Sequence, residues 1–176
     1  MAAKLDITVA PLEEDRVFRG RSLMTDDGRV FEDGARLARD FAKVKESVEG
    51  RAMPVVSAVA AFAPGEGGEY RYFMGDELDV SRGGAAKPQE GLEDVVVPAG
   101  TLVAVVPVRF HVQASAALHA ARVRRSFYEE WLPSSGYESA AADLGFADVE
   151  LYRYRRRRFR RARKMVLELM FLVREG

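Results

Sequence analysis

The sequence predicts an α+β fold: a duplicated strand–helix–strand–strand module forming one antiparallel-rich sheet, with two helices on one face and a ligand cleft on the other. Three observations predict it. Two stretches repeat apolar residues at helical spacing, short valine-rich segments surround them, and the order of elements runs strand, helix, strand, strand and then repeats. The chain of 176 residues fits a single domain, 1–176, with pseudo-repeats over about 5–78 and 95–174 and an exposed linker over about 79–94.

The first half opens with the apolar stretch from Arg16 to Leu23. A helix follows, in which Leu37, Phe41, Val44 and Val48 form the stripe and Arg36, Arg39, Asp40, Lys43 and Lys45 the solvent side. Asp33 stands as its N-cap and Gly50 as its C-terminal stop. Val55 to Phe62 and Tyr70 to Leu78 read as strands, the second with Tyr70, Tyr72 and Met74 on one side and Phe73, a core residue, on the other. Gly83, Gly84, Pro88 and Gly91 mark the linker.

The second half starts with Val95 to Val97 and Leu102 to Val112, split by the turn Pro98-Ala99-Gly100. Ala116, Ala120, Val123, Phe127 and Trp131 form the stripe of the second helix, which Pro133 and Ser134-Ser135-Gly136 end. Val149 to Tyr154 and Met165 to Val173 close the sheet.

Composition narrows the function. With 48% hydrophobic and 31% charged residues the chain is an ordinary globular one. The absence of cysteine excludes disulfides and thiolate metal sites, and two histidines, His111 and His119, do not make a histidine cluster. No Gly-rich phosphate loop and no metal-ligand spacing are present, so no cofactor and no metal are expected. No apolar run approaches the roughly 20 residues that span a bilayer, and the amino terminus lacks the apolar core of a signal peptide, so the expected location is cytoplasmic, without a membrane partner.

The best functional lead is Glu168. It lies near the middle of Met-Val-Leu-Glu-Leu-Met-Phe-Leu-Val, residues 165–173, and a buried strand would carry it into the interior. A buried carboxylate is costly unless it meets a cation or moves a proton. Glu150, which shares a strand face with Tyr152 and Tyr154, is the runner-up carboxylate should Glu168 prove exposed. Tyr70 and Tyr72 form a second same-face pair; one of the two pairs is expected to line the cleft. Trp131, the single tryptophan, and Met170 complete the candidate ligand-binding set.

The order of elements and several short stretches resemble the GyrI-like small-molecule-binding domain, the effector-binding domain of AraC-type and MerR-type multidrug-responsive regulators. The stretches are Arg16-Val17-Phe18-Arg19-Gly20, Tyr72-Phe73-Met74-Gly75-Asp76, Val97-Pro98-Ala99-Gly100, Trp131-Leu132-Pro133 with Ser135-Gly136-Tyr137, Asp148-Val149-Glu150-Leu151-Tyr152 and Val166-Leu167-Glu168-Leu169. Two departures stand out: Phe110-His111-Val112-Gln113 replaces a glycine-containing turn, and the last connection is long and arginine-rich.

The resemblance implies a stand-alone binding domain for hydrophobic, aromatic or cationic molecules, protective or sensing in role, with Glu168 on the pocket floor and Trp131 as a wall. It also implies two alternatives. One is a hydrolase of cyclopropane-containing DNA-alkylating compounds, with Glu168 activating water and Trp131 orienting the substrate. The other is an interaction protein that inhibits DNA gyrase.

The basic segment from Arg153 to Lys164, interleaved with Tyr154 and Phe159, invites a nucleic-acid reading. Zero net charge and the lack of a recognisable helix-turn-helix favour a solvated hairpin tip instead, neutralised by an acidic surface of the same chain or of a second subunit in a homodimer. Nucleic acid is therefore not an expected partner.

Overall fold

In the computed structural model, strands that are apolar on both faces sit at the centre of one antiparallel sheet. The structure describes residues 5–83, 87–112, 115–157 and 160–176, with the side chains of all of these except 154–157 and 160–164. The strands are β1 (Thr8–Pro11), β2 (Arg16–Thr25), β3 (Val56–Ala61), β4 (Tyr70–Glu77), β5 (Glu93–Val97), β6 (Leu102–Val108), β7 (Tyr137–Ser139), β8 (Asp148–Arg157) and β9 (Arg160–Glu175). Their order is β1-β6-β9-β8-β3-β4-β2-β5, with β7 paired to β9. The expected α+β, antiparallel architecture is the one found. β1 and β7 carry too few residues to leave a periodic pattern in the sequence.

Residues two apart on a strand share a face. Register therefore carries one face across the sheet: Leu169 is opposite Glu150, Glu150 opposite Val59, and Val59 opposite Met74. Both long helices, α1 (Val30–Ala42) and α2 (Ala116–Ser126), cover this face. α1 buries Leu37 and Phe41, Phe41 packing with Val17, Val48 and Leu78. α2 buries Ala116 and Ala120, which pack with Val106, Leu167, Leu169 and Phe171.

The opposite face is closed on itself. Phe18, Phe73, Val95 and Val97 from one end of the sheet pack in one cluster with Val103, Leu151, Met170 and Leu172 from the other, and Ala140 and Phe146 join them. Strand twist accumulates across a wide sheet and allows this curl. This core fills the interior of that face.

The helix termini differ from expectation. α1 starts at Val30, so Asp33 lies within its first turn rather than at the cap. Asp26 makes the turn instead, its Oδ1 accepting from the backbone N–H groups of Gly28 (2.9 Å) and Arg29 (3.0 Å). Asp33 is freed to accept from the Thr25 hydroxyl at 2.8 Å and to pair with Arg36 at 2.9 Å. The helix ends at Ala42, and a 3₁₀ turn over Lys45–Ser47 precedes Gly50, whose φ of 72° turns the chain toward β3. Beyond α2, Phe127–Trp131 forms a π-turn and Leu132–Ser135 a short further helix, α3. Pro133 sits in the first turn of α3, where its missing N–H costs nothing, and Gly136 ends it at φ 77°. A one-turn helix, α4 (Ala141–Leu144), precedes β8.

β8 and β9 continue past their neighbours. β3 pairs with β8 as far as Arg153 and β6 with β9 as far as Leu167, yet β8 and β9 stay paired to Arg157 and Arg160. The arginine-rich segment is this hairpin arm. Arg158 and Phe159, and the side chain of the candidate Tyr154, lie outside the described residues.

Candidate functional site

Between α1 and α2, on the helix-bearing face, lies a cleft of about 800 Å³, within the size range of small-molecule sites. The sequence placed the cleft on the other face, which the curled core occupies. The floor is the middle of the sheet: Ser57 and Val59 of β3, Tyr72 and Met74 of β4, Glu150 and Tyr152 of β8. The walls are the flanks of the helices, Val30, Phe31 and Gly34 from α1 and Ala117, Leu118, Ala121 and Arg124 from α2. Phe31 and Leu118 are 87% and 56% exposed and form apolar lips.

Glu150 is the carboxylate of this cleft. Arg124 Nη2 donates to its Oε1 at 2.7 Å, and the Tyr152 hydroxyl donates to its Oε2. Arg124 is shared with Asp148: Nη2 lies 2.7 Å from Oδ1, and Nε lies 3.1 and 3.2 Å from the two oxygens. Burial alone would pull the Arg124 pKa down, but the hydrogen bond and charge of Asp148, with the charge of Glu150, hold it above its ordinary value. Burial, reinforced by the charge of Glu150, pushes the Tyr72 hydroxyl up to about 12. Burial and then Glu150 raise Tyr152 as well. Both tyrosines are therefore neutral hydrogen-bond donors at physiological pH.

A second polar group marks the opposite end of the floor. Lys45 Nζ donates to Ser57 Oγ at 3.1 Å, and Ser57 Oγ to the buried Asp76 at 2.7 Å. Lys45 and Arg51 also pair with Asp76 at 3.6 and 3.3 Å. This network ties the turn after α1 to β3 and β4.

The sequence-derived candidates divide. Tyr72, Tyr152 and Glu150 come together in the cleft. Glu168 does not join them: it is opposite Leu151 and Pro107 on the other face, is 24% exposed, and pairs with Arg153 at 3.4 Å. An even–odd shift along the strand separates it from Leu167 and Leu169, which face the helices. Glu168 is not among the residues that line this cleft. Met170 shares that face, fully buried in the core with the Arg16 guanidinium 3.4 Å from its sulfur. Tyr70 shares the face of Tyr72 but does not line the cleft.

Trp131 does not line the cleft either. The π-turn stacks it on Phe127 at 5.0 Å and on Tyr137 at 5.9 Å, and Phe127 in turn stacks on Phe171 at 3.7 Å. The indole ties the end of α2 to β7 and β9. The sequence does not single out the wall residues Phe31, Leu118, Ala117 and Ala121, because they lie off the core stripes of the two helices. Their signal is apolar residues off the stripe, and in α2 the 117, 118, 121, 124 spacing.

Among the described residues, no three His, Asp or Glu side chains are grouped to hold a metal ion, and no helix is long and apolar enough to cross a membrane.

No known family profile and no curated protein matches the chain. Solved structures do. The C-terminal domain of EcmrR is similar over 99% of this chain and 100% of its own length, at 12% identity and a TM-score of 0.58. SAV2435 bound to tetraphenylphosphonium is similar over 97% of this chain and 94% of its own, at 9% identity and a TM-score of 0.58. EcmrR in its complex with DNA is similar over 97% of this chain but only 58% of its own, at 15% identity and a TM-score of 0.58. At these identities the likeness is one of fold. The fold is that of the EcmrR C-terminal domain, and it agrees with the GyrI-like architecture to which the sequence motifs point.

Proposed function

We propose that this chain, as one domain built from two half-modules, binds a hydrophobic aromatic small molecule in the cleft between α1 and α2, and that Glu150 gives the site its preference for cationic ligands. The observation that carries the reading is a carboxylate, Glu150, on the floor of a cleft whose lining is mostly apolar and aromatic, with Arg124, Lys45 and Ser57 as its other polar side chains. Tyr72, Met74, Val59, Phe31 and Leu118 offer apolar surface, and Glu150 with Tyr152 offers the one acidic group of the lining. An anion in a partly desolvated site attracts a cation more strongly than in water, and tyrosine faces add to that attraction. The likeness in fold to a protein bound to tetraphenylphosphonium, a lipophilic cation, supports the reading.

Binding is favoured over turnover because both oxygens of Glu150 are engaged by donors, which suits a fixed recognition group better than a proton acceptor. The test is titration of tetraphenylphosphonium against the parent protein and Glu150→Gln. Binding by the parent, weakened about tenfold in the variant, is expected from the loss of one charged contact. Equal affinities would remove Glu150 from the site. Glu168→Gln, on the far face, is expected to leave affinity unchanged.

A further inference from the structure

We infer that Arg124 sets the ligand specificity of this cleft, as a cation built into the chain that occupies Glu150 and withdraws onto Asp148 when a cationic ligand arrives. The inference rests on the binding reading above. Arg124 reaches Asp148 through two nitrogens, Nε and Nη2, but reaches Glu150 through Nη2 alone. Losing the Glu150 contact therefore leaves the guanidinium paired. That matters, because a part-buried charge stripped of its partner is strongly unfavourable. Glu150 in turn keeps the Tyr152 hydroxyl when Arg124 leaves.

Charge balance points the same way. Arg124, Asp148 and Glu150 carry one positive and two negative charges, and their side chains are 31%, 13% and 16% exposed. One ligand cation beside Glu150 neutralises the group. The neighbours of Arg124 on its flank of α2, Ala117 and Ala121, are small. A neutral aromatic ligand makes no claim on Glu150 and leaves the Arg124 contact intact. The cleft therefore discriminates by whether a ligand can outcompete an internal guanidinium.

Two variants are expected to move in opposite directions. Affinities for tetraphenylphosphonium and for triphenylphosphine, a neutral aryl counterpart, are measured on the parent, Arg124→Met and Asp148→Asn. Arg124→Met removes the competitor, and the ratio of cation to neutral affinity is expected to rise about tenfold, whatever the added apolar surface does to both ligands. Asp148→Asn removes the resting place, so Arg124 holds Glu150 more firmly and cation affinity is expected to fall about fivefold, the neutral ligand unmoved. A purely structural role would shift both ligands together and both variants in one direction, and that result overturns the inference. A ratio of cation to neutral affinity unchanged in both variants overturns it as well, while the binding reading stands. Failure of the parent to bind either ligand overturns the reading and the inference together. Should Arg124→Met not fold, Arg124→Met/Asp148→Asn removes one charge of each sign, and its ratio of cation to neutral affinity must still exceed that of the parent.

Discussion

Tyr128 shows how much a single hydroxyl costs in this fold. Its ring packs edge-on against Phe127 and Phe171, yet its buried oxygen has no hydrogen-bond partner among the described residues. An unpaired buried hydroxyl costs about 1–3 kcal/mol. Tyr128→Phe keeps the ring and removes that cost, so unfolding in urea is expected to show a gain of about 1 kcal/mol. A loss of that size would mean that the hydroxyl has a partner. Residues of this kind also mark the limit of what the sequence discloses. Glu150, Tyr72 and Tyr152 were legible as site candidates because strand alternation puts residues two apart on one face. Glu168 stands outside the cleft, and the sequence does not disclose it, because a carboxylate in an apolar run looks the same on either face of a strand. Only the register with Leu151 and Pro107 decides its side, and register is a tertiary fact.

The arm formed by β8 and β9 is the element whose composition and geometry are most at odds. The backbone register sets Arg155 opposite Lys164 and Arg156 opposite Arg163, and after a register shift Arg157 opposite Arg160, so the sequence puts residues of like charge across the ribbon. Like charges directly opposite across a ladder destabilise it, and a two-stranded ribbon is marginal even without them. Salt screens such repulsion. The melting temperature of the chain is therefore expected to rise with ionic strength, and replacing residues 155–163 by a short turn is expected to flatten that dependence. The replacement should leave the fold intact, since β3 and β6 pair no further than Arg153 and Leu167. A chain that fails to fold without the arm would show that it packs on the body of the domain. The ordinary strands were readable from valine content and alternation. The π-turn at Phe127–Trp131 was not, because one extra residue per turn leaves the apolar stripe in place while rotating Trp131 onto Tyr137.

At the scale of the whole molecule, two three-strand sets, β6-β9-β8 and β3-β4-β2, meet at the β8–β3 seam, and the cleft lies over that seam. Each set contributes a floor tyrosine, Tyr152 from β8 and Tyr72 from β4, while Tyr128 lies beyond α2 in the aromatic stack. Burial raises all three hydroxyls: Tyr72 with help from the charge of Glu150, Tyr152 with help from Glu150, and Tyr128 with help from Asp148. The consequence for stability has a definite sign. Below pH 10 the three are protonated in the folded and the unfolded chain alike, and they contribute no pH dependence. Above pH 10 the unfolded chain ionises its tyrosines while the folded chain holds these three neutral, so the unfolded state gains and stability falls. For Tyr72 the fall continues to about pH 12, and a separation of two units corresponds to roughly 3 kcal/mol. Tyr152 and Tyr128 shift in the same direction and add to the loss. The chain is expected to unfold cooperatively between about pH 10 and 12. Tyrosinate absorbance from these residues should then appear together with the loss of circular dichroism. Tyr72→Phe is expected to shift the midpoint upward by removing one ionisation. Full tyrosinate absorbance near pH 10 with the sheet intact would show that these hydroxyls are open to solvent, and would take Tyr72 and Tyr152 out of a desolvated cleft floor.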